Sequence, residues 1–301
     1  MIDVGTNSVK LRVAERHGDD WTAVVDRAEV TRLGEGVLAR GAIASVAAAR
    51  TADAIASMAE EASREHVRAI AAIGTAGLRA ATNRDEVLAT IRERSGLDVE
   101  VISGDEEGRL AYLAVRSGLP DAEGPLVVFD TGGGSSQFTF GEGDRVRERF
   151  SVLVGSAGCA EAFGLDEAVP ESVIEEARAA IGADLERLRA HQANERLVGM
   201  GGAVTNMTAV MLELDPYDAD RVQGATLSVE EVDRQIERYR STHADDRRSI
   251  VGLQRNRAEV ILAGACIART VMDVLRADAL TVSDRGLRHG VFLDRFSQTE
   301  V

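Results

Sequence analysis

Lysine is almost missing from this sequence. Lys10 is the only one, and arginine supplies the rest of the 35 basic residues. A nucleotide-binding P-loop needs a lysine within GxxxxGK[ST], and Lys10 stands in no such pattern, so that NTPase class is excluded. The strand lysine of protein kinases is missing too. Cysteine is as scarce. Cys159 and Cys266 are isolated, with no CxxC, which argues against a disulfide scaffold and against thiolate zinc sites. The five histidines, His17, His66, His191, His243 and His289, show no metal-ligand spacing. There is no signal peptide and no apolar run long enough to cross a bilayer, so a cytoplasmic location without membrane contact is expected. Positive charge is in deficit: 35 basic against 50 acidic residues leave a formal net charge of −15. Such a balance argues against DNA or RNA as general partners. It leaves room for a polyanionic substrate at a local site that carries metal ions.

What the chain does contain is glycine in a telling place. The stretch Phe129-Asp-Thr-Gly-Gly-Gly-Ser-Ser-Gln137 follows the apolar run Leu126–Phe129 and precedes the alternating Phe138-Thr-Phe140. This reads as a β-hairpin with an Asp and two hydroxyls at its tip. Consecutive glycines let backbone N–H groups approach an anion unobstructed. An ordinary glycine-rich turn has the same composition, but the chain repeats the pattern. Met1 to Ala14 also reads as strand, turn, strand, with Asp3, Gly5, Thr6, Asn7 and Ser8 standing where the later hairpin has Asp130, Gly132, Gly133, Gly134 and Ser135. Asp3 lies only two residues from the start, so a short or clipped first strand is expected.

Between and after the hairpins, strands and helices alternate. Trp21–Val25 reads as a third strand, Ile43–Glu65 as a long amphipathic helix with Val46 on its apolar face, and Val67–Ile73 as a buried strand. One helix carrying Leu78, Arg79, Val87, Leu88 and Ile91 is expected to end near Gly96. Val99–Ile102 is a strand, and Ser103 caps a helix that begins Glu106-Glu107. Residues 117–125 read as a domain crossover. Ser151–Val154 is expected as a strand, and 171–190, 204–213, 229–242 and 257–275 as helices. Arg196–Met200 and Ala279–Val282 close the set of strands, and a short helix ends the chain. This approximate duplication predicts two α/β domains, 1–116 and 117–301, with a ligand cleft between them and the terminal helix packing back on the first.

Taken in order, these stretches resemble the exopolyphosphatase / guanosine pentaphosphate phosphohydrolase family, part of the actin-like, sugar-kinase-like, Hsp70-like superfamily. The resemblance is carried by Ile2-Asp-Val-Gly-Thr-Asn-Ser8, Gly74-Thr-Ala-Gly-Leu-Arg79, Ser103-Gly-Asp-Glu-Glu-Gly-Arg-Leu110 and Asp130-Thr-Gly-Gly-Gly-Ser135, then by Gly199-Met-Gly-Gly202, Arg257–Ala265 and Val282-Ser-Asp-Arg-Gly-Leu-Arg288. Each is weak alone; the ordered set covers essentially the whole chain and matches the short, two-domain members.

The resemblance implies two ribonuclease-H-like domains and a Mg²⁺-dependent hydrolase that releases orthophosphate from inorganic polyphosphate, or the γ-phosphate of pppGpp. It implies Glu107 as the base that activates water, with Glu106 left to complement the helix N-terminus. Gly5, Thr6, Asn7, Ser8, Arg79, Gly132, Gly133, Gly134 and Ser135 are implied as phosphate ligands, and Gly199, Gly201 and Gly202 as a nucleotide-side loop. Asp3 and Asp130 are implied as holders of Mg²⁺ or another divalent cation. Arg257 and Arg288 read better as structural. Homodimers are implied, although no stretch marks an interface. Two positions depart from the family pattern. Gln137 stands where an acid is usual, and Gly155-Ser-Ala-Gly158 lacks a basic residue. These departures keep a second reading open, a non-catalytic polyphosphate or (p)ppGpp sensor. The loops alone also admit a small-molecule kinase, which the placement of Glu107 disfavours.

Overall fold

The computed structural model describes residues 1–18, 20–119, 124–191 and 195–297. The chain divides into two compact units, one made of Met1–Leu110 with Leu287–Val301 and the other of Ala111–Gly286. The division falls inside a helix, earlier than the expected crossover, part of which (120–123) lies outside the described residues.

The first unit holds a five-stranded sheet of order β3-β2-β1-β4-β5. Its strands are β1 (Ile2–Val4), β2 (Ser8–His17), β3 (Asp20–Val30), β4 (Ala72–Gly74) and β5 (Val99–Val101). Its helices are α1 (Val37–Arg40), α2 (Ser45–Arg64), α3 (Ala76–Ala80), α4 (Arg84–Ser95) and the start of α5 (Gly104–Gly118). Along α2 the buried Ala48, Thr51, Ala52, Ile55, Met58, Ala59 and Ala62 recur at helical spacing and face the core. Val46, expected on that face, is instead 68% exposed.

Two expected elements change. The buried strand of residues 67–73 shrinks to β4, because its neighbours β1 and β5 are each three residues long and leave residues 67–70 no ladder to join. The single helix of residues 78–96 is two, broken at Ala81–Asn83. There the Asn83 amide donates to the Ile43 carbonyl and accepts from the Ile43 N–H, both at 2.9 Å, a tertiary bond that helical periodicity cannot show.

The second unit repeats the plan. β6 (Pro125–Thr131), β7 (Ser136–Glu142), β8 (Arg145–Val152), β9 (Arg196–Met200), β10 (Thr226–Ser228) and β11 (Ala279–Val282) form a sheet of order β10-β11-β9-β6-β7-β8. In both units the first three strands are antiparallel, the fourth joins the first in parallel and a further strand joins the fourth in parallel, so β8-β7-β6-β9-β11 corresponds to β3-β2-β1-β4-β5, and β10 adds an antiparallel edge to the second sheet. β8 begins earlier than expected and stops at Val152, where β7 offers no further partner; Leu153 beyond it is exposed. The helices here are α6 (Ser156–Phe163), α7 (Glu171–Asp184), α8 (Gly202–Met211), α9 (Ala219–Val222), α10 (Val229–Arg240), α11 (Ala244–Arg247) and α12 (Ile261–Leu275). α12, apolar nearly all round, runs through the core of this unit. The final α13 (Leu287–Val291) belongs to the first unit, where Leu287, Val291 and Phe292 pack on Met1, Ile73, Ile102 and Leu110.

Candidate functional site

The two glycine hairpins are built alike, each within its own unit. In the first, the Gly5 N–H donates to the Ser8 carbonyl at 3.1 Å; in the second, Gly132 donates to Ser135 at 2.9 Å. Asp3 stands opposite Lys10 across the first ladder, and Asp130 stands opposite Gln137 across the second. Lys10 and Gln137 therefore occupy equivalent positions, which their surroundings in sequence do not reveal.

In each loop the carbonyls are tied from behind. The Thr6 carbonyl accepts from Gly34 N–H at 2.9 Å, and the Asn7 carbonyl accepts from Thr31 and Arg32 at 3.1 and 2.9 Å. In the second loop the first turn of α6 does this work: Ser156 donates to the Gly132 carbonyl, and Ala157 to that of Gly133, both at 2.9 Å. A trans peptide points its N–H opposite its C=O. Pinning these carbonyls thus turns the N–H groups of Asn7, Ser8, Gly133 and Gly134 to the other side of the loop, as an anion cradle requires. Gly155 is what permits this backing, since a Cβ there would lie 2.5 Å from the Gly133 carbonyl carbon. The segment 155–158, notable in the sequence only for a missing basic residue, is the support of the loop.

In the first unit, Gly77 closes on the loop: a Cβ at that position would be 3.2 Å from the Thr6 Cα. Gly77 belongs to α3, the helix that carries Arg79. Arg79 Nη1 donates to the Ile102 carbonyl at 3.0 Å and to Glu107 Oε2 at 2.8 Å. Glu107 is buried, with 7% of its surface exposed, on the first turn of α5. Ser103 caps that helix, its hydroxyl accepting from the Glu106 N–H at 3.1 Å. Glu106 is turned elsewhere and forms a two-pronged pair with Arg109. The motif's two acids are thus separated in role by what they touch. Asp3 is 3.4 Å from the ammonium of Lys10, and the buried Ser8 hydroxyl has no partner among the described residues.

In the second unit, Gly201 adopts φ +93, and a Cβ there would lie 2.7 Å from Asp130 Oδ1. The Gly199–Gly202 turn is therefore seated directly on the Asp130 carboxylate. Gly202 is in turn flush with the Arg257 guanidinium, to which a Cβ would come within 2.7 Å. Arg257 borders this loop. Arg288 instead donates to the Leu11 carbonyl and to Asp26, a structural role. Among the described residues no three His, Cys, Asp or Glu side chains converge as a metal cage. One carboxylate per hairpin fits an ion such as Mg²⁺, which keeps water and takes its other ligands from phosphate oxygens.

The model of the Ppx/GppA phosphatase family matches residues 12–299 of this chain. Exopolyphosphatase 2 of Mycobacterium tuberculosis is 30% identical over 313 residues, which covers 97% of this chain and 96% of that protein. A bifunctional 3-dehydroquinate synthase/phosphatase of Fusobacterium nucleatum is 25% identical over 97% of this chain, and the chain spans only 46% of its length. Among solved structures, the Aquifex aeolicus Ppx/GppA family member superposes with a TM-score of 0.81 at 29% identity, covering 100% of this chain and 98% of that one. This likeness assigns both units to the two-domain, actin-like α/β architecture.

Proposed function

The chain belongs to the Ppx/GppA phosphatase family, and from that premise we propose that it removes the terminal orthophosphate from inorganic polyphosphate. The γ-phosphate of pppGpp is the second candidate substrate. The observation that carries this reading is the pairing of Glu107 with Arg79 beside the first glycine loop.

Hydrolysis of a phosphoanhydride needs neutralised phosphate oxygens, an oriented water and an acceptor for its proton. The outward N–H groups and the hydroxyls of the glycine loops bind phosphate oxygens. Arg79 exchanges its bond to Glu107 for a phosphate oxygen, which its planar fork suits. Released from the guanidinium, the Glu107 carboxylate takes a proton from water as the water oxygen bonds to the terminal phosphorus. The bond from phosphorus to the bridging oxygen breaks, and the shortened chain leaves with that oxygen. Asp3 and Asp130 are the residues that would hold Mg²⁺, which supplies charge neutralisation on the phosphates.

The test is to incubate the purified chain with long-chain polyphosphate and with pppGpp, side by side, in Mg²⁺. Orthophosphate release is expected, falling about a hundred- to ten-thousand-fold in Glu107→Gln. No release from either substrate, or equal release by the variant, would sink the proposal.

A second reading, a polyphosphate or (p)ppGpp sensor, is favoured by the buried amide of Gln137 where the family has an acid. It requires binding without turnover, and no activity gained by Gln137→Glu.

A further inference from the structure

The two hairpins share a plan but not a charge. Asp3 and Asp130 stand at equivalent positions, yet the residue directly across the ladder is Lys10 in the first and Gln137 in the second. Lys10 Nζ lies 3.4 Å from Asp3 Oδ2. The first carboxylate therefore has a monovalent cation of the chain's own beside it, at a position where the second hairpin carries a neutral amide. Lysine is used nowhere else in the sequence.

The partners of this pair differ in mobility. Asp3 is the middle residue of β1, in register with Lys10 on one side and with Ile73 on the other, and its side chain is 7% exposed. It cannot shift without opening the ladder. Lys10 is also fixed at its backbone, opposite Ala28, but its charge ends a flexible four-carbon stem and its side chain is 31% exposed. The ammonium can withdraw into water. The contact is also longer than the usual limit of about 2.9 Å for a charge-assisted hydrogen bond, so little geometry is lost when it parts. An arginine here would grip both carboxylate oxygens with its planar fork and would be harder to displace. An ammonium and a divalent cation on one buried carboxylate repel each other strongly, so Asp3 holds one or the other.

We propose that Lys10 is the resident counter-ion of Asp3, a positioning residue that holds this carboxylate in the metal-free chain and must leave it before a divalent cation binds there. This rests on the reading of Asp3 as a Mg²⁺ holder, which its hard carboxylate oxygens fit. Lys10 then sets the metal affinity of the first hairpin. It keeps the hairpin charge-balanced without an ion and makes it resist loading by the metal alone.

The test uses the full chain without substrate, titrated with Mn²⁺ as the probe and read by the electron paramagnetic resonance signal of the free ion. Each chain is compared with its own Asp3→Asn version, so that only binding at Asp3 is counted. Lys10→Met should bind Mn²⁺ at Asp3 about tenfold or more tightly than the parent, because the competing charge is gone. Lys10→Arg should bind no more tightly than the parent. A merely structural lysine predicts the opposite sign, since its loss would loosen the strand pair and weaken the site. Circular dichroism checks each fold, and Lys10→Gln, which copies the amide of the second hairpin, decides if Lys10→Met unfolds. Unchanged or weaker Mn²⁺ binding in the folded neutral variant, or a gain that persists in its Asp3→Asn version, would overturn the proposal. If the Mn²⁺ pattern holds while neither polyphosphate nor pppGpp is hydrolysed, the counter-ion role stands and the hydrolase reading fails.

Discussion

Cys159 on α6 and Cys266 on α12 have no disulfide partner, and both are held as neutral thiols. Burial pushes the Cys159 thiol from 9.0 up to about 11, with nearby Asp184 adding to the shift, and burial pushes Cys266 up to about 12. A thiol whose value rises on folding favours the folded state below its unfolded value, and that contribution is lost as pH rises through the folded one. Stability should therefore fall between about pH 9 and pH 12. Iodoacetamide at pH 8 should alkylate the native chain far more slowly than the urea-unfolded chain, because little thiolate exists. Equal rates would refute the burial argument. The sequence showed that these cysteines were isolated but not that they were buried. The same limit applies at the loops. Asp3 and Asp130 were legible as motif residues, whereas the contrast between Lys10 and Gln137 emerged only from strand register. Glu107 and Glu106 are adjacent in the chain, and the structure distinguishes them by pairing one with Arg79 and the other with Arg109.

The elements show where periodicity suffices and where it fails. α2 and α12 were legible because their apolar residues outnumber what a solvated helix carries. The strand at 67–73 and the single helix at 78–96 were misjudged because a ladder needs a partner and Asn83 bonds to a residue forty positions away. The C-terminal α13 and the turn after it belong to the first unit through side chains that no local pattern identifies. Trp21, the only tryptophan, lies with its ring centroid 4.9 Å from that of Phe292. Arg109 also reaches Asp294, and Arg295 pairs with Glu100, whose carboxyl is held below its ordinary value chiefly by that hydrogen bond. These half-buried surface pairs contribute no more than about 1 kcal/mol each, so packing dominates. Phe292→Ala should cost about 3–5 kcal/mol of stability in the first unit. Urea unfolding followed by Trp21 fluorescence measures this directly; a loss near zero would mean that the segment is not docked as described.

At the scale of the whole molecule, the net charge of −15 opposes a polyanionic substrate. Association is then hindered by like charge at low ionic strength, and screening relieves it. For polyphosphate, kcat/KM is expected to rise as salt increases from about 10 to about 100 mM, where the Debye length shortens to about 10 Å. A fall over that range would show that local positive groups, rather than net charge, govern capture. The same scale separates what each level of description contributed. The amino-acid sequence by itself determined the duplicated α/β plan, the two glycine hairpins, the helix cap at Ser103 and the family, because these depend on local spacing and on short ordered motifs. It also excluded a P-loop through the scarcity of lysine. Only the tertiary structure decided that α6 braces the second loop through Gly155 and that Gly201 seats its turn on Asp130. It alone set Lys10 against Asp3. Those facts depend on which distant backbone and side-chain atoms meet, and the partner of a buried carboxylate is fixed by its neighbours in space rather than in sequence.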